Sequence, residues 1–203
     1  MKLILIRHGQ TASNVAQALD TSAPGAPLDE TGLAQAQRLV TRLETDPGEI
    51  DALYSSSLLR AKMTAAPLAA ARGLLVAEHA GLTEISAGEL EMRNDRDAQL
   101  AYREVFFRWL SGDLGAKVPG GEDARTALDR FDAVINQAKA AGTGKLVVVS
   151  HAAMLMTWLS ARSSNFDRTL LSPVPLINTG VVTLESSTGA SWRLRSWQDR
   201  VLD

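Results

Sequence analysis

The 203-residue sequence has no cysteine and no long apolar run, and each absence excludes a class of function. Without cysteine, the chain has no disulfides, no catalytic thiol and no metal site built from thiolates. No run approaches the ~20 apolar residues that a membrane-spanning helix requires. The apolar segment 3–6 stops at Arg7, which makes it too short for a secretory signal. We therefore expect a cytoplasmic protein with no membrane partner.

The sequence also lacks an excess of charge of either sign. Its 21 basic and 23 acidic residues give a formal net charge of −2. Proteins that bind nucleic acid or anionic membranes usually carry a marked basic excess, so neither partner is expected. A pocket for one phosphate group needs only a few local cations, and a small phosphorylated ligand is compatible with this composition.

Apolar segments that alternate with helical patterns predict the fold class. Segments 3–6 and 146–149 are short, unalternating apolar runs, typical of strands that are buried on both faces. Apolar residues recur at helical spacing in 29–43 and 124–141. Such alternation predicts an α/β three-layer sandwich, in which helices flank a mostly parallel central sheet. We expect a single domain over residues 1–203.

Residues 88–124 differ in composition from the rest of the chain. Charged residues come first, several aromatic residues follow, and Pro119-Gly120-Gly121 lies near the end of the segment. This change predicts a small helical cap, inserted into the domain at about 88–124. Phe106, Phe107 and Trp109 are expected in the core of this cap, with a platform for the substrate as the alternative.

Both buried apolar segments end on a histidine. Arg7-His8 follows the first, and Ser150-His151 follows the second. The carboxyl ends of parallel strands share one edge of the sheet, which is where ligand sites lie. Gly9 permits a tight turn, and the start of the next helix offers free N–H groups to an anion. A structural histidine is the alternative interpretation of either strand end taken alone.

Six segments in a fixed order resemble the histidine phosphatase superfamily, in its phosphoglycerate mutase-like branch. Each motif is weak by itself, whereas their shared order makes the resemblance specific and extends it over nearly the whole chain. The segments are 5–14 (LIRHGQTASN), 27–32 (PLDETG), 54–61 (YSSSLLRA), 82–84 (LTE), 119–122 (PGGE) and 147–151 (VVVSH).

The resemblance implies a phosphatase that acts on a small phosphorylated metabolite through a phosphohistidine, without a metal or another cofactor. His8 is implied as the nucleophile, Glu84 as the proton donor and His151 as a second catalytic histidine. The remaining implied site residues are the phosphate-binding Arg7, Asn14, Arg60 and Ala152 (through its backbone), and Gln10 and Thr11 at the substrate mouth.

The sequence leaves alternatives open for the acid and for the reaction. Glu78, Glu89 and Glu91 lie close to Glu84 in sequence and compete with it as the proton donor. A cofactor-dependent phosphoglycerate mutase is the second candidate function, although 88–124 is short for the closing segment that a mutase needs. A regulatory protein of low activity that only binds phosphate is the third.

The chain departs from the family pattern at two places. After His151 the family usually has glycine and then an arginine, whereas this chain has Ala152-Ala153-Met154-Leu155-Met156. The stretch 88–93 lacks the tryptophan and the trailing glycine that are common there. These differences leave the substrate open, and the alanines are the support for the regulatory alternative. A homodimer is also possible, through apolar residues near Trp158 and Leu159 or through a late strand edge.

Overall fold

The computed structural model describes residues 1–44, 46, 48–172, 175–186, 191–198 and 200–202. None of the helices within these residues is long and apolar enough to cross a membrane. The α-helices in this part of the chain are Ala12–Val15 (α1), Glu30–Glu44 (α2), Leu59–Arg72 (α3), Arg96–Leu110 (α4), Ala124–Ala140 (α5) and Ala152–Arg162 (α6). The strands are Lys2–Arg7 (β1), Ala52–Ser56 (β2), Val76–His79 (β3), Lys145–Ser150 (β4), Val181–Ser186 (β5), Trp192–Trp197 (β6) and Arg200–Val201 (β7).

The strands form one sheet in the order β3-β2-β4-β1-β5-β6-β7. Strands β3, β2, β4 and β1 run parallel, and β5, β6 and β7 add antiparallel pairs on the other side of β1. The central residues Leu3–Ile6 and Leu146–Val149 are at most 1% exposed, as expected for strands covered on both faces. The predicted α/β class is therefore confirmed, and the antiparallel strands make the sheet mixed.

Alternate residues of β1 face two separate apolar cores. Leu3 and Leu5 lie in the larger core with residues of α4, α5 and α6, whereas Ile4 and Ile6 lie in the smaller core with residues of α2 and α3. Successive side chains of a strand point to opposite faces, so the sheet divides the helices into two outer layers. This arrangement gives the three layers that the apolar patterns predict.

The carboxyl ends of β1 and β4 lie side by side, because Arg7 pairs in register with Ser150. From β1 the chain continues to α2 on one face of the sheet, and from β4 it continues to α6 on the other face. In open α/β sheets a crevice forms where such connections diverge. The fold therefore brings His8 and His151 together at the edge of the sheet where a site is expected.

The segment 88–124 contains a 3₁₀ turn, helix α4 and the loop before α5. Trp109 is buried in the larger core, and its Nε1–H donates to the carbonyl of Ala116 at 2.7 Å. Phe106 packs partly buried against the same core, whereas Phe107 is 45% exposed. Helix α4 thus shares a core with α5 and α6, and the assignment of this segment as an inserted cap stays a prediction.

The residues expected at a dimer interface lie inside the single chain. Trp158 and Leu159 are both 0% exposed, and the Trp158 ring packs against Phe131 with ring centroids 5.3 Å apart. The expectation that they present an apolar surface to a second copy is therefore wrong, because the core of the chain already covers them. The homodimer itself stays a prediction, with the strand edge at β7 as its remaining location.

Candidate active site

His8 follows β1 directly, with only 4% of its surface exposed. Its Nδ1 lies 2.7 Å from the carbonyl oxygen of Gly9, so the ring hydrogen is on Nδ1 and donates to this carbonyl. Nε2 then keeps a lone pair, and it accepts a hydrogen bond from Arg60 Nε at 3.2 Å. Burial, followed by the charges of Arg60 and Arg7, holds the pKa of His8 well below its usual 6.5. His8 is thus a neutral imidazole whose Nε2 can act as a nucleophile.

His151 is completely buried, and its ring centroid lies 5.1 Å from that of His8. Its Nε2 is 2.7 Å from Ser56 Oγ, which also accepts the N–H of Leu58 at 3.2 Å. The Ser56 hydroxyl has one O–H donor and two acceptor sites, so it can pair with either tautomer of the His151 ring. Burial, and next the charge of Arg60, lowers the pKa of His151 well below 6.5. Nδ1 is buried and has no hydrogen-bond partner within the described residues.

Arg60 lies in the first turn of α3 and is 2% exposed. Its Nη2 donates to the backbone carbonyl of Asp20 at 2.8 Å, and its Nη1 lies 3.5 Å from Asp20 Oδ1. The Asp20 carboxylate is itself fixed, because it accepts the Ser13 hydroxyl at 2.8 Å and the Ala26 N–H at 2.9 Å. Burial lowers the pKa of Arg60 and Asp20 opposes this change, and an arginine remains charged in either case. The guanidinium is therefore a fixed cation next to His8.

Arg7 supplies a second cation from the end of β1. Its Nη1 donates to the carbonyl of Leu176 at 2.8 Å, and its buried Nε has no hydrogen-bond partner within the described residues. Burial lowers the pKa of Arg7, and the carboxylate of Glu84 opposes this shift. Two guanidinium groups beside a neutral imidazole make the site positive, and their N–H groups match the oxygens of a phosphate.

Glu84 caps the start of α6. Its Oε2 accepts the N–H of Ala153 at 3.0 Å, and its Oε1 accepts the N–H groups of Met154 at 2.8 Å and Ile85 at 3.0 Å. The first N–H groups of a helix have no partner inside the helix and favour a negative charge. These contacts fix the carboxylate in the wall of a cavity, described next, that His8 also lines.

A cavity of about 100 Å³ lies at the centre of this arrangement. At ~30 Å³ for a water-sized group, it has room for one phosphoryl group. Its walls combine cationic, imidazole, carboxylate, hydroxyl and amide groups. Among the residues that contribute them are Arg7 and Arg60, His8, Glu84 and Asp20, Thr11, Thr21 and Tyr102, and Asn14.

Comparison with known proteins identifies this constellation. A family model of the histidine phosphatase superfamily (branch 1) matches residues 3–200. The chain belongs to the histidine phosphatase superfamily. The resemblance carried by the six sequence motifs is therefore confirmed, and so is the enzyme class that it implied, a phosphatase.

Relatives of this histidine phosphatase include hydrolases and a mutase. The adenosylcobalamin/alpha-ribazole phosphatase of Salmonella typhimurium is 33% identical over 156 residues, which are 76% of each chain. A probable phosphoglycerate mutase GpmB of Yersinia pestis is 29% identical over 161 residues, which are 79% of this chain and 74% of that protein. The PE-PGRS family protein PE_PGRS11 of Mycobacterium tuberculosis is 29% identical over an alignment of 207 residues. This alignment covers 95% of this chain but only 35% of that protein. The structure of the alpha-ribazole phosphatase from Shigella flexneri has a TM-score of 0.77 and 26% identity, covering 100% of this chain and 98% of the other.

Thr11 and Asn14 line the phosphate-sized cavity of the histidine phosphatase and brace each other. The Asn14 N–H donates to Thr11 Oγ1 and the Thr11 N–H donates to Asn14 Oδ1, both at 3.2 Å. Asn178, which we did not single out from the sequence, donates from Nδ2 to the His8 carbonyl at 3.0 Å and to Asn14 Oδ1 at 3.1 Å. Because Asn14 Oδ1 accepts both bonds, its amide N–H groups are left for a ligand. Ala152 also lines the cavity.

Gln10 lies outside the wall of the phosphate cavity. Its Nε2 donates to Asp29 Oδ2 at 3.0 Å, and its backbone N–H donates to Gln35 Oε1 at 2.8 Å. Asp29 belongs to the second sequence motif and directly precedes α2, and Gln35 lies within α2. In this arrangement the Gln10 side chain braces the turn after β1, and its place at the substrate mouth stays a prediction.

Among the four glutamates that compete as the acid, the structure places Glu84 at the cavity. Glu78 forms an exposed ion pair on β3, and Glu89 is exposed. Glu91 accepts the backbone N–H of Thr21 at 2.8 Å and so stabilises the loop beside the cavity. Glu84 is thus the acid whose position fits the chemistry of a histidine phosphatase.

Arg130 on α5 holds the loop that carries Glu84. Its Nε and Nη2 each donate to one carboxylate oxygen of Glu122 at 2.8 Å. Its Nη1 donates to the carbonyls of Gly81 at 2.9 Å and Thr83 at 2.8 Å, and its Nη2 to the carbonyl of Glu84 at 3.2 Å. The PGGE motif, which contains Glu122, is a partial signal of this contact in the sequence, but no pattern there points to Arg130.

Proposed function

We propose that the protein is a metal-independent phosphomonoester hydrolase that acts on a small phosphorylated metabolite through a phosphohistidine on His8. The observation that carries the proposal is the state of His8. It is neutral, Gly9 fixes its tautomer, and its Nε2 lies next to Arg60 at a cavity of phosphate size. Phosphoryl transfer to an imidazole needs a lone pair on nitrogen and fixed positive charge around the phosphate, and these side chains supply both.

In the first half of the reaction, His8 Nε2 attacks phosphorus in line. The N–P bond forms as the bond from phosphorus to the leaving oxygen breaks, while Arg7, Arg60 and His151 hold the nonbridging oxygens. Glu84, in its protonated form, gives its proton to the leaving oxygen, so a neutral alcohol departs. The products of this half are phosphohistidine and an ionised Glu84.

In the second half, the Glu84 carboxylate takes a proton from a water molecule, whose oxygen attacks phosphorus while the N–P bond breaks. Inorganic phosphate leaves, His8 is neutral again, and Glu84 is protonated for the next turnover. Three backbone N–H groups hold the Glu84 carboxylate, which supports its role as the ionised base in this half.

We propose further that residues 88–124 form a cap over the reacting centre. Tyr102 on α4 supports this assignment, because it lines the phosphate cavity and donates from its hydroxyl to the Ile85 carbonyl at 2.9 Å. Burial raises the pKa of Tyr102 well above 10, so this hydroxyl stays a donor. The cap would therefore be tied to the residue that follows Glu84.

A phosphoglycerate mutase is the second candidate, because a probable mutase is among the relatives at 29% identity. A mutase returns the phosphoryl group to a second substrate oxygen, whereas a phosphatase gives it to water. Interconversion of 2- and 3-phosphoglycerate without net release of phosphate would select the mutase. Binding of inorganic phosphate without turnover of any ester would select a regulatory protein.

The test is hydrolysis of p-nitrophenyl phosphate, with and without a metal chelator, by the wild type and by His8→Ala. His79→Ala is the matched control, since His79 stacks on Tyr54 away from the cavity, with ring centroids 4.5 Å apart. We expect release of phosphate that survives the chelator, is lost in His8→Ala and is kept in His79→Ala. Loss of activity with the chelator would contradict the metal-independent mechanism.

Trapping of the intermediate tests the nucleophile directly. Rapid quenching in base should preserve a phosphorylated protein, and quenching in acid should lose it, because phosphohistidine is labile in acid and stable in base. The phosphate should map to the peptide that contains His8. A phosphoenzyme that survives acid would point to a different nucleophile.

Cellular location and assembly are two further proposals. A chain without cysteine fits a reducing compartment, which supports a cytoplasmic location, and fractionation of cells that express the protein would test it. The edge strand β7 supports a homodimer, because Val201 is 80% exposed there. Sedimentation velocity on the wild type and on Val201→Lys would show whether a dimer forms through this edge.

A further inference from the structure

The phosphate cavity has a neighbouring recess of about 350 Å³, and the same residues form the boundary between them. Arg7, Glu84, Tyr102 and Ala152 line both spaces. At ~30 Å³ for a water-sized group, the recess holds roughly ten such groups, which is the size of a small organic leaving group. We call this space the Glu84 recess.

The chemistry decides which space receives the leaving group. In an in-line displacement the leaving oxygen lies opposite His8 Nε2, and it takes its proton from Glu84. The leaving group therefore extends from the Glu84 side of the phosphate. A larger groove of about 790 Å³ also adjoins Arg7, but its walls come from residues such as Arg96 and Arg103, without Glu84. The Glu84 recess is thus the space on the path of the departing alcohol.

The walls of the Glu84 recess are mainly apolar. Ala153 and Met156 on α6 are only 8% and 6% exposed, so they form its inner side. Leu19 and the ring of Phe106 close it from the loop after α1 and from α4. The further polar residues that line it are Gln99, which is half-buried, and Arg103, which is exposed.

Part of this apolar wall comes from the positions where the chain departs from the family pattern. Ala152, Ala153 and Met156 follow His151, where glycine is usual in the family directly after the histidine, and all three line the Glu84 recess. The backbone there still works as a donor, because Glu84 accepts the N–H of Ala153 at 3.0 Å. The departure therefore adds apolar surface beside the acid and leaves the backbone contacts of the acid in place.

We propose that the physiological substrate is a phosphomonoester whose leaving group carries an apolar body, aliphatic or aromatic, close to the ester oxygen. The proposal rests on the phosphatase function and specifies its substrate class. A leaving group rich in hydroxyl or carboxylate groups would place them against Leu19, Phe106 and Met156 without partners, which is costly. An apolar body gains free energy when the same surfaces leave water.

The test compares kcat/KM for 2-phenylethyl phosphate and glycerol 1-phosphate, which are both esters of primary alcohols. We expect at least a tenfold higher value for 2-phenylethyl phosphate, because one methylene group in an apolar pocket already changes kcat/KM by about tenfold or more. Equal values, or a preference for glycerol 1-phosphate, would overturn the inference. Absence of turnover with these esters and with p-nitrophenyl phosphate would instead contradict the phosphatase function.

Variants locate the preference in the Glu84 recess. Met156→Gln makes the wall polar at similar volume, so kcat/KM for 2-phenylethyl phosphate should fall about tenfold while that for glycerol 1-phosphate changes little. The inhibition constant of inorganic phosphate should stay the same, since phosphate occupies only the smaller cavity. Met92→Gln, at a methionine that is 59% exposed and outside the recess, is the matched control.

Two further variants keep the test independent of folding. Met156→Leu retains an apolar wall and should retain the preference. Leu19→Gln changes the same wall at a half-buried position, and it replaces Met156→Gln if that variant does not fold. A preference that survives a folded glutamine variant unchanged would show that this wall does not select the substrate, and the inference would be wrong.

Discussion

Replacement of Arg130 by methionine tests how the fold holds the acid in place. The guanidinium makes a bidentate pair with Glu122 and donates to the carbonyls of residues 81, 83 and 84. Methionine keeps much of the apolar stem and removes all of these hydrogen bonds. We expect two effects that can be separated, one on the stability of the fold and one on proton transfer by Glu84.

The size of the stability effect follows from the exposure of the pair. The side chains of Arg130 and Glu122 are 21% and 18% exposed. Loss of one partner costs ~3–5 kcal/mol in a fully buried pair, so we expect about 2–3 kcal/mol at this exposure. In a domain of this size that corresponds to a fall in Tm of about 4–12 °C. Arg108→Met is the matched control, because it breaks an ion pair with Asp113 in which the two side chains are 52% and 50% exposed. Its loss should lower the free energy of unfolding by less than about 1 kcal/mol.

The effect on Glu84 can be measured through the leaving group. The p-nitrophenolate ion leaves without a proton, whereas an alkoxide needs one. The value of kcat/KM reports only the steps up to and including the formation of phosphohistidine. The later attack of water therefore does not affect it. A displacement of a catalytic group by ~1 Å can lower the rate of the chemical step about 10²-fold. At a temperature where Arg130→Met is folded, kcat/KM should fall about hundredfold for 2-phenylethyl phosphate and less than about fivefold for p-nitrophenyl phosphate.

The ratio of the two losses decides whether the reasoning holds. Equal losses for both esters would mean that Arg130→Met damages the phosphate end of the site, and a positioning role towards Glu84 would be refuted. Unchanged values for both esters would refute it as well. Glu122→Gln provides a graded version, since it leaves the three carbonyl contacts of Arg130 in place and should give a smaller loss of the same kind.

Three other predictions concern the phosphate end. His8→Asn should lower kcat for p-nitrophenyl phosphate at least about 10³-fold, and substantial residual turnover would exclude His8 as the nucleophile. Asp20→Asn should raise KM and lower kcat/KM about tenfold, because Arg60 loses its anchoring carboxylate; an unchanged KM would contradict this role. The pKa values of His8 and His151 are lowered on folding, so the unfolded chain binds protons that the folded protein does not, and the free energy of unfolding should fall as the pH drops below about 6.5. Each histidine should contribute about 1 kcal/mol to this fall between pH 6.5 and 5.5. In urea unfolding, the free energy of unfolding of His8→Asn should therefore fall by about 1 kcal/mol less over this pH range than that of the wild type, and an equal fall in both proteins would contradict this account.

The part of the site that follows buried strands could be predicted from the sequence. Segments 3–6 and 146–149 are apolar enough to identify central parallel strands, and parallel strands place their carboxyl ends at one edge. The fold class therefore places His8 and His151 at the same edge of the sheet, and the pairing of β1 with β4 in the structure makes them neighbours. Arg60 and Glu84 lacked such a local reason, and their assignment depended on the order of the six motifs.

Contacts between distant segments could not be predicted in the same way. Asn178 binds the carbonyl of a residue 170 positions earlier, and no periodic pattern relates the two. Arg130 lies on an amphipathic helix, where an arginine usually faces solvent, so only the packed fold shows that it reaches the loop of Glu84. The misplaced dimer interface has a related cause, because the sequence of α6 does not show how fully Trp158 is covered.

The two ends of the site are held by different means, and this difference explains why one is better specified than the other. Around the phosphate, Asp20 fixes Arg60 and the turn at Gly9 fixes His8, so the cations and the nucleophile are in place before any ligand arrives. Such preorganised charge stabilises a phosphoryl transition state without rearrangement at the moment of reaction. Around the leaving group, side chains such as Met156 provide shape and apolar surface with few directional bonds. We therefore expect the short motifs to carry the reaction, and residues outside them, such as Met156, to contribute most to the selection of the substrate.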